Sequence, residues 1–584
     1  MQRRRAQDHD NAPIKIADIA MTSTLLTLHD PAIARDYYKR GIWQDETLYM
    51  RVARHAAERP DAYALQDRRH RLTWSQLKQW VDSVAADLDR AGLSTGERVA
   101  VWLPNRVETL VVFLACSRNG YVGILSLHQN HTTAEVMTLL ERCSVRAFFG
   151  QVGYGADADA SDIFARLPAL GAIQRVYALD PPDGAAPPRP ARALAFPASD
   201  ANCAPPPVND NPDKITYIAF TSGTTGQPKA VMHSDNTLLA NGRAMIADWG
   251  HGPDTILYCL GPLSHHLAMV GVEQSLVSGC EYITNDLARG MKPLDRILAT
   301  GATYVMGVPT HTIDIQQDAA ARGLDKIGKV EIFYMSGAAI APAVARRFLD
   351  YGITPQNTYG MTEGGSHTST LRDDSFETMV GTVGQCCGRA NPCYELKVWK
   401  ASDRNNLAEI GEVGELGGRG ASFMLGYFAN QDATEKSMNK HGWFMSGDLA
   451  SVDAQGNITI AGRSKDLIIR GGHNIYPVEI ESLALRHAAV AKAAAFAVPD
   501  ERLGEKVCLA VIPVAGRDIE PDALLAHLAA EGLSKFDMPE YFMAAEDLPM
   551  TASGKVLKRT LVEQAKNGEI ELHAIRYRAP QAGN

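Results

Sequence analysis

Several features that would assign the 584-residue sequence to other classes of protein are missing. Its nine cysteines form no C-x-x-C pairs, and the adjacent Cys386 and Cys387 are poor candidates for bridging each other, so a reducing cytoplasm is the expected location. No apolar run approaches the ~20 residues that a bilayer span needs, so membrane association could only be peripheral. The net charge of −9 argues against nucleic acid as the main partner.

The N-terminus is not expected to be an export signal. Arg3, Arg4 and Arg5 resemble the start of a twin-arginine signal, but charged residues follow where an apolar stretch would be needed. Met21 is a second candidate start, which would make residues 1–20 an extension.

The composition of the sequence, and the alternation of helical patterns with short apolar runs along it, predict an α/β enzyme of more than one domain. With 45% hydrophobic and 21% charged residues, the chain is typical of soluble globular proteins, and its length exceeds what one core organises. Helical patterns at 75–91 and 107–118 alternate with short apolar runs such as 98–102. Residues 178–212, rich in proline, predict a surface linker. Residues 381–460 predict a small β-subdomain, and a compact α/β pattern follows residue 465.

The most informative segment is a loop of ten residues that begins at Thr221. It follows an apolar run, 215–220, and precedes another, so the expected order is strand, loop, strand. Glycines let backbone N–H groups approach anionic oxygens, hydroxyls add donors, and a lysine adds a mobile positive charge. A triphosphate is the predicted ligand, and its predicted contacts are Thr221, Ser222, Gly223, Thr224, Thr225, Gly226 and Lys229.

Two alternatives explain the loop less well. A P-loop NTPase needs four residues between its glycines and a hydroxyl after its lysine, whereas Gly223 and Gly226 are three apart and Ala230 follows the lysine. A polar hairpin turn without a ligand is the other alternative, and the Pro228-Lys229 tail argues against it.

The loop resembles the phosphate-binding motif of the adenylate-forming superfamily, which comprises acyl-CoA synthetases, luciferases and the adenylation domains of peptide synthetases. Seven further segments resemble other motifs of this superfamily and follow one another in the order that the superfamily shows. They are P-L-S-H at 262–265, N-T-Y-G-M-T-E at 357–363, G-E-V-G-E-L at 411–416, G-W-F-M-S-G-D at 442–448, G-R-S-K-D at 462–466, G-G-H-N-I-Y-P-V-E-I-E at 471–481 and T-A-S-G-K at 551–555.

The resemblance implies an α/β fold with a large N-terminal domain of two α/β subdomains plus a small β-subdomain, and a smaller mobile α+β lid. The implied parts are an extension at 1–45, an adenylation domain at 46–464 and a lid at 465–584, hinged at Lys465. The implied activity has two steps: the acid attacks the α-phosphorus of ATP to form an acyl-adenylate, and a thiol then displaces AMP.

For the first step, the resemblance implies that Glu363 and Thr225 hold Mg²⁺, a hard cation that favours oxygen ligands. Thr362 belongs to the same catalytic motif, and Lys555 would neutralise charge that develops between the carboxylate and the α-phosphate. Tyr359 would stack on adenine. The remaining residues of the implied ATP pocket are Gly337, Ala338, Ala339, Asn357, Thr358, Gly360, Asp448, whose carboxylate would bind the ribose hydroxyls, and Arg463.

Adjacent histidines follow the P-L-S stretch. A metal pair is disfavoured, because neighbouring residues on a strand point to opposite faces, and Val270 stands where a condensation-domain motif needs aspartate. The resemblance implies that His265 lines the acyl pocket and gates the pantetheine tunnel, and that His266 is structural. The expected pocket also includes Leu267, Tyr304 to Val308, Gly337 and Gly360, where glycine would leave open volume for the acyl group.

For the second step, rotation about Lys465 would withdraw Lys555 and bring Gly471, Gly472 and His473 against the pantetheine arm of coenzyme A. No carrier domain follows Lys555, so free coenzyme A is the expected acceptor. The surroundings of Lys555 also resemble an acetylation site of bacterial acyl-CoA synthetases, which implies a lysine acetyltransferase and deacetylase as possible partners.

The predicted function is therefore an AMP-forming carboxylic acid–CoA ligase that uses ATP, Mg²⁺ and coenzyme A. Segments 115–121 and 126–130 resemble cyclohexanecarboxylate-CoA ligases, so a cyclic or medium-chain acid is expected, with fatty, aryl and cinnamate-type acids as the alternatives. A stand-alone enzyme that loads a carrier protein is one alternative, and a non-catalytic nucleotide-binding regulator is another. The intact Lys229, Glu363, Asp448 and Lys555 argue against the regulator.

Overall fold

The computed structural model describes residues 26–183, 187–221, 228–338, 340, 342–380, 388–514, 516–550 and 556–577. Its strands are β1 (Tyr63–Gln66), β2 (Arg71–Thr73), β3 (Arg98–Trp102), β4 (Val122–Ile124), β5 (Ala147–Gln151), β6 (Arg175–Leu179), β7 (Ile215–Thr221), β8 (Lys229–Ser234), β9 (Ile256–Cys259), β10 (Glu281–Thr284), β11 (Tyr304–Gly307), β12 (Ile332–Met335), β13 (Thr354–Met361), β14 (Gly365–Ser369), β15 (Arg389–Ala390), β16 (Tyr394–Lys400), β17 (Asp403–Leu407), β18 (Gly414–Gly420), β19 (Phe444–Val452), β20 (Ile458–Arg463), β21 (Ile468–Arg470), β22 (His473–Ile475), β23 (Val490–Asp500), β24 (Gly504–Pro513), β25 (Tyr541–Ala544) and β26 (His573–Ala574).

The helices are α1 (Pro31–Lys39), α2 (Leu48–Glu58), α3 (Trp74–Arg90), α4 (Val107–Asn119), α5 (Thr133–Arg142), α6 (Ile163–Arg166), α7 (Asp235–Trp249), α8 (His266–Ser278), α9 (Pro293–Thr300), α10 (Pro309–Ala321), α11 (Pro342–Asp350), α12 (Phe376–Val380), α13 (Gln431–Lys436), α14 (Pro477–Ala484), α15 (Pro521–Ala530) and α16 (Lys558–Asn567). Short 3₁₀ turns cover Leu167–Ala169 and Ser464–Asp466.

Two large sheets form the N-terminal domain. One has the order β6-β5-β3-β4-β7-β8, in which only the β7–β8 pair is antiparallel. The other has the order β15-β14-β13-β12-β11-β9-β10-β1-β2. A single apolar core joins them through α4, α7 and α8, which are buried over most of their lengths. Helices α7 and α8 touch at Gly242, where an added Cβ would lie 2.8 Å from the carbonyl oxygen of Glu273.

Two smaller sheets follow along the chain. The antiparallel order β17-β16-β18-β19-β20 forms the small β-subdomain that the sequence predicts, and β21 to β26 form a last sheet that packs α14, α15 and α16. The predicted fold class is confirmed: a mixed α/β protein with a large N-terminal domain and a smaller C-terminal one.

Individual sequence predictions can be compared with these bounds. The predicted strand at 98–102 is β3, and the predicted helices at 75–91 and 107–118 are α3 and α4 to within a residue. The predicted linker at 178–212 lies mostly on the surface. Seven cysteines within the described ranges are free, whereas Cys386 and Cys387 lie outside them. Among the helices of the described chain, none combines the length and the apolarity that crossing a membrane requires.

Candidate functional site

The predicted phosphate loop connects β7 to β8, in the predicted order of strand, loop and strand. Thr221 and Lys229 are cross-strand partners at its two ends, and the five residues between the ends of β7 are buried. The Lys229 ammonium lies 4.6 Å from the centre of the Tyr427 ring, a cation–π distance. Ser222, Gly223, Thr224, Thr225 and Gly226 lie outside the described residues.

Glu363 lies beside this loop in a hydrogen-bonded setting. Its Oε1 accepts a hydrogen bond from the Tyr427 hydroxyl (2.9 Å), and its carbonyl accepts one from the Met424 N–H (2.7 Å). Burial raises the pKa of Glu363, while the Tyr427 hydrogen bond and the charge of Lys229 oppose that rise. The sequence analysis assigns no role to Tyr427, so its pairing with Glu363 is a feature that sequence reasoning missed.

The carbonyl oxygen of Thr362 lies 2.7 Å from the ring nitrogen Nε2 of His233, a hydrogen-bonding distance. His233 is fully buried and stacks on His266, with ring centres 5.3 Å apart, and Tyr217 extends the stack. Burial lowers the pKa of His233 to about 4, so this imidazole is neutral at pH 7. The Thr362 carbonyl therefore contacts a neutral, buried aromatic stack, which no sequence motif indicates.

The predicted adenine and ribose contacts form one cluster. Tyr359 donates its hydroxyl to Asp448 Oδ2 (2.6 Å), and Arg463 Nε lies 3.1 Å from Asp448 Oδ1. Asp448 and Arg463 are cross-strand partners on β19 and β20, so the sheet register places them together. Asp448 has 9% of its side chain exposed, against 47% for Arg463. Burial raises the pKa of Tyr359 well above its usual value, so the phenol stays protonated and remains a donor.

The residues around Tyr359 on β13 are held by neighbouring strands. The N–H of Asn357 donates to Thr370 Oγ1 (3.0 Å), and the Thr358 hydroxyl donates to the Met335 carbonyl (3.2 Å). Gly337, with φ of +95°, and Ala338 are exposed just after β12, whereas Ala339 lies outside the described residues.

The expectation that Gly360 borders open acyl volume is wrong. Gly360 pairs with Ser366 of β14, and an added Cβ would lie 2.3 Å from the carbonyl oxygen of Gly365. Glycine is needed here because the backbone of the next strand approaches closely. Gly360 therefore gives no support to the expected open volume for the acyl group.

Two further expectations about the acyl pocket need correction. His265 and His266 do not lie on a strand: His265 caps the N-terminus of α8, and its Nδ1 accepts the Leu267 N–H at 3.2 Å. His266 is buried in the aromatic stack, consistent with a structural role. Tyr304 is a core residue, because it is 1% exposed and its hydroxyl donates to Gln356 Oε1 (2.8 Å).

Beside His265, the structure brings together residues that the sequence does not associate. His128 Nδ1 lies 2.8 Å from Ser264 Oγ, and the His128 ring lies 6.4 Å from that of His265. Burial lowers the pKa of His128 to about 4, so it is a neutral hydrogen-bonding group at pH 7. Since 136 residues separate His128 from Ser264, only the tertiary fold shows the contact.

The C-terminal region presents the predicted lid residues on its surface. Lys465 is exposed within the 3₁₀ turn at Ser464–Asp466. Gly471 and Gly472, with φ of +59° and +86°, form the two-residue turn between β21 and β22. His473 Nε2 lies 2.8 Å from Asp537 Oδ1, a partner that the sequence does not suggest. Lys555 lies outside the described residues.

Comparison with known proteins gives matches over most of the chain. The family model described as "AMP-binding enzyme" matches residues 52–428, and that of the "AMP-binding enzyme C-terminal domain" matches residues 479–555. A medium-chain fatty-acid–CoA ligase of Escherichia coli is 28% identical over 89% of this chain and 91% of its own.

Two other matches extend the comparison. A methyl-dioxo-octahydroindenyl propanoyl:CoA ligase of Mycobacterium tuberculosis is 31% identical over 86% of this chain and 96% of its own. The crystal structure of ATP-bound MatB from Rhodopseudomonas palustris superimposes with a TM-score of 0.75 at 27% identity, covering 89% of this chain and 99% of that one.

Proposed function

Because the chain belongs to the family of AMP-binding enzymes and is an enzyme of the acid–thiol ligase type, we propose that it joins a hydrophobic cyclic or medium-chain carboxylic acid to coenzyme A through an acyl-adenylate. ATP and coenzyme A are the substrates of AMP-forming CoA ligases. The observation that carries the proposal is the convergence of Lys229, Glu363 and Tyr427 beside the phosphate loop, with Asp448 held by Tyr359 and Arg463.

In the first step the acid attacks the α-phosphorus of ATP, a bond to phosphorus forms, and pyrophosphate leaves. Little covalent work falls to the protein, so catalysis consists of placement and charge neutralisation. Thr221, Lys229 and the loop between them would hold the leaving phosphates. Lys555 would neutralise charge at the reacting oxygens and would be the residue that acetylation silences.

Glu363 fits the Mg²⁺ that ATP-dependent ligases use. Its Oε1 accepts a hydrogen bond from the Tyr427 hydroxyl, which fixes one side of the carboxylate. A carboxylate oriented in this way is a suitable ligand for a hard cation. Thr225 would add a hydroxyl. The ion would neutralise phosphate charge when bound.

Asp448 would bind the ribose hydroxyls, and Tyr359 would contact the base. In the present geometry the Tyr359 hydroxyl holds Asp448 in place, and Arg463 balances its charge. Binding of a nucleotide would then use a carboxylate that is already oriented, which lowers the entropic cost of binding.

In the second step the thiol of coenzyme A attacks the acyl carbonyl, a C–S bond forms, and the bond to the AMP oxygen breaks. We propose that the 46–464 and 465–584 parts move relative to each other about Lys465 to permit this step. The turn at Gly471–Gly472 has no side chains, so a narrow pantetheine arm could pass it. Both this motion and a cytoplasmic location remain predictions.

The acid is proposed from the apolar character of the expected pocket near His265 and Leu267 and from the relatives. The two ligases named above act, by their names, on a medium-chain fatty acid and on a bicyclic propanoic acid, which supports a bulky hydrophobic substrate of either shape.

One assay tests the function and separates its rivals. The wild-type protein is incubated with ATP, Mg²⁺ and a panel of cyclohexyl, medium-chain, aryl and acetic acids, with and without coenzyme A. The ligase predicts acid-dependent exchange of pyrophosphate into ATP and AMP release that coenzyme A accelerates. Exchange without any effect of coenzyme A would favour a carrier-loading enzyme, and nucleotide binding without exchange would favour a regulator.

A further inference from the structure

The backbone around Glu363 is held by more hydrogen bonds than a tight turn requires. Residues 361–364, named the Glu363 turn from here on, lead from β13 to β14, and the Gly364 N–H closes the turn on the Met361 carbonyl at 3.2 Å. A β-turn needs no hydrogen bond beyond this one. The three carbonyl oxygens of residues 362–364 nevertheless each meet a further donor from a distant segment of the chain.

Two of these donors lie on the segment that follows β18. The Met424 N–H donates to the Glu363 carbonyl at 2.7 Å, and the Ser422 hydroxyl donates to the Gly364 carbonyl at 3.0 Å. Ser422 is 1% exposed, so its bond is shielded from water. The second half of the Glu363 turn is therefore fixed from one side by a single short segment.

The third donor is His233 of β8, whose Nε2 lies 2.7 Å from the Thr362 carbonyl oxygen. A carbonyl can only accept, so the imidazole proton of this bond resides on Nε2. The ring is 1% exposed and is stacked on His266, which in turn stacks on Tyr217. The stack fixes the plane of the imidazole, and the direction of its N–H is fixed with it.

Strand β8 carries both His233 and the lysine of the phosphate loop. Lys229 and His233 are four residues apart on this strand, so their side chains leave the same face. Met232 of the same strand exchanges backbone hydrogen bonds with Leu425 (2.8 Å) and Gly426 (3.0 Å). The donors to the Glu363 turn thus belong to one hydrogen-bonded unit, which also holds Lys229.

The start of β14, just beyond the turn, is held as well. Asn241 Oδ1 accepts the Ser366 N–H at 3.0 Å, and Asn241 Nδ2 donates to Glu273 Oε2 at 2.7 Å. At Gly365, which has a φ of +71°, an added Cβ would lie 2.7 Å from the Asn241 side chain. A buried network of this kind holds its members in one arrangement, so the turn has little freedom to move.

A buried histidine can also be an ordinary core residue, and His55 is an example in the same chain. It is 6% exposed, its Nε2 lies 2.8 Å from the Leu276 carbonyl oxygen, and its ring centre lies 4.5 Å from that of Trp74. The two histidines make the same kind of bond. They differ in the acceptor, because the carbonyl that His233 meets belongs to the peptide group that joins Thr362 to Glu363.

We propose that His233 is a positioning residue for the Mg²⁺ site: its bond to the Thr362 carbonyl holds the Glu363 turn in the geometry in which the Glu363 carboxylate binds the ion of Mg·ATP. The inference rests on the proposed function, which supplies the ion. His233 acts through the backbone, since its own side chain is almost fully buried. The same strand carries Lys229, so the placement of the phosphates and of the ion would be linked.

The test removes the donor and keeps the ring. His233→Phe retains a planar ring in the stack but cannot donate, whereas His233→Gln returns an amide N–H near the position of Nε2. His55→Phe is the matched control, because it removes the same kind of imidazole–carbonyl bond far from the Glu363 turn. The Mg²⁺ concentration for half-maximal pyrophosphate exchange should rise about tenfold or more in His233→Phe, because loss of a group that orients a metal ligand costs about 10–100-fold in metal affinity.

Titration calorimetry gives a second measurement that does not depend on turnover. His233→Phe should weaken the binding of ATP when Mg²⁺ is present and leave it unchanged when EDTA replaces the ion. His233→Gln should recover most of the lost affinity. His55→Phe should bind ATP as the wild type does under both conditions, even where it lowers the denaturation midpoint as much as His233→Phe does.

Ser422→Ala tests the same turn with a smaller change and decides the case if His233→Phe does not fold. It removes the donor to the Gly364 carbonyl and should raise the Mg²⁺ requirement several-fold. Ser275→Ala is its control, because that buried hydroxyl donates to the Cys280 carbonyl (2.7 Å), away from the turn. In that case an unchanged Mg²⁺ requirement in Ser422→Ala would overturn the proposal.

The other outcomes are distinguishable. Equal Mg²⁺ requirements in His233→Phe and His55→Phe would make His233 a core residue and overturn the proposal. Equal weakening of ATP binding with and without Mg²⁺, or no recovery in His233→Gln, would also overturn it. Failure of the proposed function has a different signature: the wild type would bind Mg·ATP with the expected dependence on His233, yet no acid would support pyrophosphate exchange.

Discussion

In the predicted nucleotide pocket, Asp448 is nearly buried and contacts both Tyr359 and Arg463. In the C-terminal sheet, His473 follows the Gly471–Gly472 turn at the start of β22, is half exposed, and contacts Asp537. The residues of the pocket come from β13, β19 and β20. Strands β13 and β19 are interior strands of their sheets, and β20 is an edge strand that pairs with the nine-residue β19. The turn consists of two glycines between short strands.

This difference indicates two kinds of site. A buried hydrogen-bond network holds its groups in one geometry, so the loss of one member leaves the other buried polar groups without a hydrogen-bond partner. An exposed ion pair contributes about 0–1 kcal/mol, so it can break and re-form as a ligand or a neighbouring domain approaches. Substitutions in the pocket should therefore impair adenylation, and those on the turn should affect the later use of coenzyme A.

The largest effect is expected at Lys555, a residue of the C-terminal region that would act on the pocket. Lys555→Ala should lower the rate of pyrophosphate exchange by about 10²–10³-fold, which is the loss of rate that follows when one hydrogen-bond donor to a developing negative charge is removed from an enzyme. A supplied acyl-adenylate should still react with coenzyme A, measured as thioester formation. Equal loss of both half-reactions would contradict the comparison, because the lysine would then serve both steps.

A smaller but still large effect is expected at Asp448. Asp448→Ala removes the acceptor of the Tyr359 hydroxyl and the partner of Arg463, and leaves both polar groups unmatched. The variant would also lose the hydrogen bonds that the ribose hydroxyls of ATP are proposed to donate to the Asp448 carboxylate. A hydrogen bond to a charged group is worth about 1.5–3 kcal/mol, so the KM for ATP should rise by about tenfold or more. Asp453→Asn, on the turn after β19, is the control and should leave that KM unchanged.

Gly360 tests the packing of the same pocket through stability. Gly360→Ala places a Cβ against the backbone of Gly365 and should reduce the free energy of unfolding by about 1–3 kcal/mol. Chemical denaturation measures the change, and Gly171→Ala is the control, because a Cβ there meets nothing within 4 Å. An unaltered denaturation midpoint for Gly360→Ala would mean that β13 and β14 can separate at this point.

These cases also show what the sequence could and could not predict. The strand, loop and strand around Thr221 were predictable, because apolar runs flank a loop of glycines and hydroxyls. Motif order likewise indicated that Asp448 and Arg463 belong to one site. The pairing of Tyr427 with Glu363 and of His128 with Ser264 was not, since such contacts depend on tertiary packing between distant segments.

Errors arose where a local pattern was interpreted without its neighbours. Glycine at 360 suggested open space, but the facing backbone of β14 fills that space. His265 and His266 were assigned to a strand, yet a helix begins there and His265 caps it through Leu267. In both cases the residue type was informative, and the element that packs against it decided the meaning.

A more modest effect is expected at the proposed hinge. Lys465→Pro fixes φ and should hinder rotation, so thioester formation should fall several-fold more than adenylation. Lys465→Ala is the matched control, since it removes the same side chain without restricting the backbone. If both variants behave alike, the side chain rather than the backbone matters, and the hinge lies elsewhere.

The smallest effect is expected on the exposed turn itself. His473→Ala should raise the KM for coenzyme A by less than about fivefold and leave pyrophosphate exchange unchanged, because an exposed pair is worth at most about 1 kcal/mol. Asp537→Ala and the double variant complete a cycle that isolates the pair, and His573→Ala, an exposed histidine of the same sheet, is the control. If His473→Ala instead reduced adenylation as strongly as Asp448→Ala does, the turn would belong to the pocket during the first step. The contrast between a fixed pocket and a loosely held turn would then be wrong.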